Sequence, residues 1–208
     1  MNTPDAGGRP HWDDVYARKD EAEVSWFEEV PELSLELIAA TGARPDGRIV
    51  DIGGGASRLV DCLLDHGFTD LTVLDLSPKA LAQARSRLGG RADRVTWIAA
   101  DVTSWTPPMQ YEVWHDRAAF HFLTDADDRC RYVKTLEAAL SPGGHAIIAT
   151  FALDGPEKCS GLPVARYDPE GLAEALGPGF RLVEARRHVH ETPWGSTQSF
   201  QSSRFVRS

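Results

Sequence analysis

Short apolar runs alternate with longer amphipathic runs along most of the chain. Five of the apolar runs are rich in β-branched residues and have the length of strands. They cover Arg48–Gly53, Leu71–Asp75, Val95–Ala99, Tyr111–His115 and His145–Phe151. Apolar residues at three- and four-residue spacing predict helices over Ser57–His66, Ser77–Leu88 and Asp125–Leu140. Strands that alternate with helices form parallel sheets, so this pattern predicts a doubly wound α/β fold.

The pattern changes after residue 151, where a stretch without periodicity precedes a short helix predicted over Pro169–Leu176. Two further strands, Phe180–Glu191 and Gln198–Val206, are separated by a short segment that contains Pro and Gly. Such a segment is typical of a turn between antiparallel strands. We therefore expect a seven-stranded, mostly parallel, Rossmann-like sheet that ends in an antiparallel hairpin.

The chain has 208 residues, of which 31 are acidic and 22 are Lys or Arg, so its net charge is −9. Length and composition fit a single domain over residues 1–208. The negative charge argues against nucleic acid or a membrane surface as a partner, because both attract basic proteins. Three cysteines without paired spacing predict neither a disulfide framework nor a metal site. The absence of a signal-like or membrane-length apolar run favours a cytoplasmic protein.

The sharpest local motif is Asp51-Ile52-Gly53-Gly54-Gly55, which ends the first predicted strand and directly precedes a helix. Ligands of open α/β sheets bind at this edge. Consecutive glycines let the backbone approach a ligand closely, and free N–H groups at a helix start favour an anionic or polar group. A dinucleotide-binding fingerprint needs a third glycine where this chain has Arg58, which argues against a dinucleotide-dependent oxidoreductase.

Two more carboxylates follow the next two strands. Asp75 comes about twenty residues after the glycine motif, a placement suited to accepting both hydroxyls of a ribose. Asp101 follows the third strand, where the amino group of an adenine is a suitable partner. Each carboxylate taken alone also fits a simpler role in a helix cap or a loop.

The order Asp51-x-Gly53-x-Gly55, Asp75 and Asp101 resembles the cofactor site of class I S-adenosylmethionine-dependent methyltransferases, over roughly residues 45–151. The terminal pair of strands also resembles the last two strands of that family. The resemblance implies S-adenosylmethionine as the cofactor and S-adenosylhomocysteine as its product. It places the glycine loop, with Gly54, against the methionine part, and Asp51 as the residue that orients this loop. The residues implied beside adenine are Leu76, Ile98, Ala99 and Val102.

Aromatic residues near the start of the chain, Trp12, Tyr16, Trp26 and Phe27, resemble the helix that lids many members, although aromatics that only cover the core fit equally well. The opening segment, His11-Trp-Asp-Asp-Val-Tyr16 followed by Ser25-Trp-Phe27, is also similar to a branch of small methyltransferases that includes lysine-directed enzymes acting on folded proteins. The expected division of the domain is a flexible tail over residues 1–11, with order beginning at Trp12, and lid helices over 12–44. The cofactor-binding core then spans 45–151, and the substrate loop and hairpin span 152–208.

Candidate catalytic residues follow the fourth strand, where the methyl group of the cofactor is expected. Methyl transfer is an in-line displacement, so the protein aligns the nucleophile and, where needed, removes its proton. His115 or His121 is a candidate base, Asp116 a candidate partner that orients an imidazole, and Arg117 a candidate anion contact. The alternative is an internal network of these side chains that only fixes the loop.

Besides Trp12, Tyr16 and Trp26 near the start of the chain, three residues beyond the core are candidates for the substrate side. Lys158 and Cys159 lie in the loop after the fifth strand, and His190 lies in the final hairpin. Lys158 is a possible contact for an anion, Cys159 a possible thiol participant, and His190 a possible polar group of the same pocket. Alternatively, Lys158 and Cys159 are ordinary loop residues without a role in the site, and His190 faces solvent from its strand.

The sequence therefore predicts a methyltransferase that acts on a small-molecule acceptor, such as a thiol or another soft nucleophile. A protein lysine methyltransferase is the first alternative. The Asn/Asp-Pro-Pro-Tyr-like motif that many lysine enzymes of the superfamily carry is replaced here by Trp114-His115-Asp116-Arg117. The second alternative is a binding module that holds the cofactor without catalysis.

Overall fold

The protein is described by a computed structural model over residues 8–208. Seven strands build the main sheet: β1 (Ile49–Ile52), β2 (Leu71–Asp75), β3 (Val95–Ala99), β4 (Tyr111–Arg117), β5 (Leu140–Phe151), β8 (Phe180–Glu191) and β9 (Thr197–Arg207). Their order is β3-β2-β1-β4-β5-β9-β8. The pairs among β1 to β5 are parallel, whereas β9 is antiparallel to both β5 and β8. The predicted fold class is confirmed.

The helices are α1 (Arg9–Arg18), α2 (Glu32–Ala39), α3 (Leu59–Asp65), α4 (Pro78–Leu88), α5 (Ala126–Ala139) and α6 (Pro169–Leu176). Short 3₁₀ turns cover Glu21–Glu23, Gly89–Arg94 and Phe120–Phe122. Helix α4 begins as its sequence indicates, because the hydroxyl of Ser77 accepts the N–H of Ala80 at 3.3 Å and Pro78 occupies the first turn. Within residues 8–208, no helix is both long and apolar enough to cross a membrane.

Two segments differ from their predicted bounds. Strand β5 begins at Leu140, directly after α5, and includes residues 141–144, which precede the predicted strand His145–Phe151. This part pairs irregularly with β4, since the register shifts between Tyr111 and Val113. The loop after β5 also carries a two-stranded hairpin that its sequence did not indicate, formed by β6 (Lys158–Cys159) and β7 (Leu162–Pro163).

The start of the chain also departs from its prediction. Residues 1–7 of the expected tail lie outside the described part of the chain. Arg9, Pro10 and His11 already belong to α1, three residues before the expected onset of order at Trp12. Pro10 fits the first turn of this helix, where the missing N–H has no helical partner to lose.

Both faces of the parallel sheet are buried. Successive residues of a strand point to opposite faces, so Val50 and Ile52 pack into one cluster while Ile49 packs into the other. Trp114 and Tyr132 occupy the centre of the first cluster, and both are fully buried. Because both faces are covered by helices, the exposed edge at the carboxyl ends of the strands is left to form a site.

Candidate active site

A cavity of about 620 Å³ lies at the carboxyl ends of the central strands. Its wall includes residues that follow β1, β2, β3 and β4, together with residues of α1, β7 and β9. Arg131 and Asp128 of α5 contribute a charged pair to the same wall. A volume of this size is typical of a small-molecule or cofactor site.

The glycine loop after β1 is tightly packed. Gly53 has φ +64°, and its N–H donates to the carbonyl of Leu74 at 2.8 Å. A Cβ at Gly53 would lie 2.8 Å from the Cβ of Ala119, so the loops after β1 and β4 touch at this point. Cβ atoms at Gly54 and Gly55 would meet carboxylate oxygens of Asp51 and Asp75, at 2.5 and 2.8 Å respectively. Of the three glycines, Gly53 lines the cavity.

Asp51 and His115 form a buried pair behind this loop. The ring Nδ1 of His115 donates to Oδ1 of Asp51 at 2.7 Å, and Nε2 lies 2.9 Å from the hydroxyl of Ser34 on α2. The histidine and aspartate are 3% and 5% exposed, and neither lines the cavity. The structure therefore places His115 in a network that joins α2, β1 and β4, away from the position expected of a base.

Asp75 lies at the end of β2 and lines the cavity, as does Leu76 beside it. One carboxylate oxygen, Oδ1, accepts the N–H of Ser77 at 2.7 Å. Burial raises the pKa of Asp75 to about 7, with a smaller contribution in the same direction from the nearby Asp51. The carboxyl group therefore titrates near neutral pH and is suited to accept hydrogen bonds from a ligand when ionised.

Asp101 is exposed at the wall of the cavity, where its Oδ1 accepts the N–H and the hydroxyl of Thr103, both at 2.8 Å. Val102 also lines the cavity. Ile98 and Ala99 do not, since Ile98 packs against the core and both residues still belong to β3. Ala100, the first residue after β3, takes the place that was expected for them.

Trp12, Tyr16 and Trp26 cover the cavity from the N-terminal side. The ring of Trp12 meets Trp26 and Phe122 edge to face, with centroid distances of 5.9 and 5.0 Å. Phe27 lies elsewhere, with the guanidinium of Arg58 5.7 Å from its ring centre. Edge-to-face packing of this kind stabilises a covering layer of aromatic side chains.

Helix α1 is held against α4 by polar contacts. The hydroxyl of Ser77 donates to Asp13 at 2.6 Å, and the side-chain amide of Gln83 donates to the carbonyl of Tyr16 at 2.8 Å. The ring of Tyr16 packs against Ala56 and Ala80. These contacts fix the covering helix at the glycine-loop side of the cavity.

Arg117 ends β4 and lines the cavity, with a side chain that is 12% exposed. Its guanidinium donates to the carbonyl of Trp26 and lies 3.2 Å from a carboxylate oxygen of Glu28. The arginine thus holds the segment that brings Trp26 to the cavity. Its positive charge is partly compensated by Glu28.

Asp116 and His121 both lie behind the cavity wall. Asp116 accepts the N–H groups of Ala119 and Phe120 and the hydroxyl of Tyr132, at 2.7–3.2 Å, and burial raises its pKa to about 6. It does not orient an imidazole through a hydrogen bond. His121 is fully buried, its ring nitrogens find no hydrogen-bond partner among the described residues, and burial lowers its pKa to about 3.

Of the substrate-side candidates Lys158, Cys159 and His190, only Cys159 lines the cavity. Cys159 is buried and lines the cavity, and burial raises the pKa of its thiol to about 12. Lys158 is exposed and lies outside the cavity wall. His190 is buried next to the site, where Nε2 lies 2.7 Å from the carbonyl of Ser25 and Nδ1 lies 3.3 Å from Glu28.

Several residues that line the cavity were not predicted from the sequence, because no local motif marks them. Phe122, Gln198 and Phe200 reach the wall from the turn after β4 and from β9. Ala118 also lines it and has φ +69°, a conformation that is uncommon for a residue other than glycine. Within residues 8–208, no group of three or more His, Cys, Asp or Glu side chains is placed to hold a metal ion.

Comparison with known proteins identifies the family of this chain. The profile described as "Methyltransferase domain" matches residues 49–144. EEF1A lysine methyltransferase 2 of Mus musculus is 31% identical over 195 residues, which are 86% of this chain and 73% of that protein. Trans-aconitate 2-methyltransferase of Sinorhizobium medicae is 31% identical over 160 residues, 76% of this chain and 57% of that protein.

A solved structure shares the whole fold. The 1,6-didemethyltoxoflavin-N1-methyltransferase of Burkholderia thailandensis, with 1,6-didemethyltoxoflavin and S-adenosylhomocysteine bound, superposes with a TM-score of 0.72 at 22% identity. The match covers 100% of this chain and 93% of that one. With the glycine loop, the strand order and the relatives taken together, the chain belongs to the class I S-adenosylmethionine-dependent methyltransferases.

Proposed function

We propose that this methyltransferase acts on a small-molecule acceptor bound inside the cavity. The observation that carries the proposal is the aromatic cover of one half of the site. Trp26, Phe122, Cys159 and Phe200 belong to one cluster, and Trp12 packs onto two of its rings. A methyl acceptor must reach the space beneath these side chains, which favours a compact molecule.

The sheet order separates two halves of the cavity. Asp75 ends β2 and Asp101 follows β3, both on one side of β1. Phe200 lies on β9, which is on the other side of β1, beyond β4 and β5. In this proposal the first half holds the cofactor, with Asp75 accepting the ribose hydroxyls and Gly53 against the methionine part. The second half holds the acceptor. S-adenosylmethionine supplies an electrophilic methyl group when bound.

The glycine loop supports this assignment of the cofactor half. Gly53 lines the cavity with its backbone, and a side chain there would collide with Ala119, because a Cβ would lie 2.8 Å from the Cβ of Ala119. The second oxygen of Asp75 lies near Gly55, and the first is occupied by the N–H of Ser77. A close backbone and a buried carboxylate are the features that a ribose and a polar chain require.

The acceptor half offers a cation and a neutral thiol in place of a base. Arg117 supplies a guanidinium group, and Cys159, with its pKa of about 12, is a thiol at neutral pH. His115, Asp116 and His121 lie behind the wall. The protein's contribution is therefore alignment, which can supply on the order of 7–11 kcal/mol. Suitable acceptors carry a nucleophilic lone pair without a catalytic base, such as a thiolate, a carboxylate or a ring nitrogen.

Methylation of a lysine in a protein is the second candidate. The observation in its favour is the match to EEF1A lysine methyltransferase 2, which spans more of this chain than the match to the trans-aconitate enzyme. An ammonium group would have to lose its proton and pass the aromatic cover. Aromatic faces attract cations, so the cover does not by itself repel a lysine side chain.

Titration with S-adenosylmethionine and S-adenosylhomocysteine, followed by a methyl-release assay, tests the proposal. The assay compares small thiols, small carboxylic acids and heteroaromatic amines with purified EEF1A. We expect micromolar cofactor binding and release with a small molecule. Release with EEF1A alone would replace the proposal by the second candidate, and binding without any release would indicate a non-catalytic module.

A matched pair of variants connects the result to the site. Asp75→Ala removes the buried carboxylate at the end of β2, whereas Asp70→Ala removes an exposed carboxylate next to the start of the same strand. We expect cofactor affinity to fall at least about tenfold in the first variant, because a hydrogen-bonded buried partner is lost. The second variant should bind like the unchanged protein. Equal affinity in all three proteins would contradict the assignment of the cofactor half.

A further inference from the structure

Residues 20–28 lie between α1 and α2 and are held at both ends. We call them the cover segment, because Trp26 in this stretch lines the cavity. Arg117 holds the carbonyl of Trp26 from the acceptor half. The other end is held at Glu21, whose carboxylate accepts hydrogen bonds from two arginines beside the glycine loop. Each end of the cover segment is therefore anchored to a different half of the cavity.

One of the two arginines is Arg58, which stands where a dinucleotide-binding motif would carry its third glycine. It lies between the glycine loop and α3. Its Nε and Nη2 both donate to Oε1 of Glu21, at 3.0 and 2.5 Å. Its guanidinium also lies 5.7 Å from the ring centre of Phe27 in the cover segment. The residue that departs from the dinucleotide motif thus connects the glycine loop to the cover segment.

The second arginine is Arg87 on α4. Its Nη1 donates to the other carboxylate oxygen of Glu21 and to the carbonyl of Ala56, the latter at 3.0 Å. Its Nη2 donates to the carbonyl of Ser57 at 2.8 Å. Ala56 and Ser57 directly follow Gly55, so one guanidinium holds the end of the glycine loop and the cover segment at the same time.

The contacts of Glu21 are strong enough to hold the site closed. The side chains of Arg87 and Glu21 are only 17% and 20% exposed. Charge-assisted hydrogen bonds are stronger than neutral ones, and partly buried pairs are screened less than pairs at the surface. We propose that Glu21 is a positioning residue that latches the cover segment onto the glycine loop, and that this latch opens when the cofactor enters or leaves. The inference rests on the proposed function, because it takes the glycine loop as the wall of the cofactor half.

The cover segment is built to open at this latch. Among residues 20–28, only Val24 is buried. The turn Glu21–Glu23 contains no buried residue, so polar contacts hold it in place. Segments with few buried residues open more readily than the core, and closing segments of enzymes often control the exchange of ligands. Loss of the Glu21 contacts should therefore release the cover segment while the sheet stays folded.

The kinetics of S-adenosylhomocysteine binding to the full chain test the latch. Glu21→Gln removes the charge at nearly constant size. Asp65→Asn makes the matching change in a pair with Arg91, at 2.6 Å, which does not touch the cover segment. We expect kon and koff both to rise about tenfold in Glu21→Gln, whereas Asp65→Asn should match the unchanged protein. Unchanged rate constants in Glu21→Gln would overturn the proposal.

The pattern of rate constants separates a latch from damage to the binding site. A latch that closes over both the free and the loaded protein changes entry and exit together, so the Kd of Glu21→Gln should stay within about threefold of the unchanged value. If koff rose alone and the Kd weakened by the same factor, Glu21 would support the contacts of the cofactor, and the latch would be wrong. Failure of the proposed function would appear differently, as no binding of S-adenosylhomocysteine to the unchanged protein.

A double variant tests whether Glu21 acts through Arg58. Arg58→Met removes the donors to Oε1 but keeps an apolar side chain. We expect Arg58→Met to raise koff, and the double variant with Glu21→Gln to release S-adenosylhomocysteine within about twofold of Glu21→Gln alone. The second change should add little because its partner has already been lost. Effects that multiply in the double variant would show that the two residues act independently, and would overturn the latch.

Discussion

The Nδ1 atom of His115 lies 2.7 Å from Oδ1 of Asp51, and the two residues are direct neighbours in the register of β4 and β1. The sequence suggested separate roles for them, a base and a residue that orients the glycine loop. The structure makes them one buried unit that also contacts Ser34 on α2. Because Asp51 sits immediately behind Gly54, this unit supports the loop from inside the protein.

His115→Ala should therefore act on stability. Removing the imidazole leaves the carboxylate of Asp51 and the hydroxyl of Ser34 buried without their partner, which should lower the free energy of unfolding by about 3 kcal/mol. Urea unfolding measures this change. His66→Ala, at the exposed end of α3, is the control and should cost less than about 1 kcal/mol. If the His115→Ala protein were stable and its methyl release no longer depended on pH, the result would instead indicate that His115 acts as a base.

The close approach at Gly53 gives a second prediction. Gly53→Ala and Gly67→Ala both place a side chain at positive φ, +64° and +87°, so the backbone conformation alone should cost each variant about 1 kcal/mol of stability. Only the Cβ at Gly53 meets a neighbour, Ala119 at 2.8 Å, whereas the Cβ at Gly67 has open space. We expect S-adenosylhomocysteine affinity to fall at least about tenfold in Gly53→Ala alone. Similar affinities in both variants would place the cofactor away from this loop.

The features that the sequence predicted are those governed by neighbours along the chain. Apolar periodicity predicted the alternation of strands and helices that builds a doubly wound sheet, including the helix that begins at Ser77, and consecutive glycines predicted the loop at Gly53. Asp75 and Asp101 reach the cavity for the same reason, since Asp75 is the last residue of β2 and Asp101 is the second residue after β3.

The histidines show what sequence could not supply. Because side chains alternate along β4, the sequence predicts that His115 and Trp114 point to opposite faces of the sheet. It does not predict that α2 packs on the face of His115, because this depends on contacts between distant segments. His121 lies in a 3₁₀ turn whose direction is fixed by the buried carboxylate of Asp116, which holds the N–H groups of Ala119 and Phe120. Gln198 enters the site through β9, and no local motif marks it.

The stability of the protein without cofactor should depend on the protonation of Asp75. Its pKa is raised in the folded state to about 7 from an ordinary value of 3.8, so the fold prefers the protonated form. The stability that this preference contributes is fully present below pH 4 and is lost as pH rises through 7. Asp75→Asn should therefore be more stable than the unchanged protein at pH 8, by up to about 4 kcal/mol, and similar to it at acid pH. Urea unfolding at pH 5 and pH 8 compares the two, and a difference that does not vary with pH would contradict the raised pKa.

Cofactor binding should show the opposite trend with pH. The ribose hydroxyls donate to an ionised carboxylate, so binding favours the form of Asp75 that has lost its proton. We expect S-adenosylhomocysteine affinity to weaken as pH falls from 8 to 5.5, and binding near pH 6 to release a proton. Calorimetry in two buffers of different ionisation enthalpy measures that proton. Asp75→Asn should bind more weakly with no such release, and proton release that persists in this variant would assign it to another group.

The segment around Trp26 depends on Arg117, which gives the last prediction. Arg117→Met keeps an apolar stem in the wall but removes the donors to the carbonyl of Trp26 and to Glu28, so the segment should open more readily. We expect faster hydrogen exchange over residues 20–30 and a higher KM for the acceptor, with S-adenosylhomocysteine affinity unchanged. Arg186→Met breaks ion pairs with Glu36 and Glu184 at the surface and should leave both quantities as they were. If cofactor affinity fell while the acceptor KM rose, Arg117 would belong to the cofactor half as well, because an effect confined to the Trp26 segment reaches only the aromatic cover.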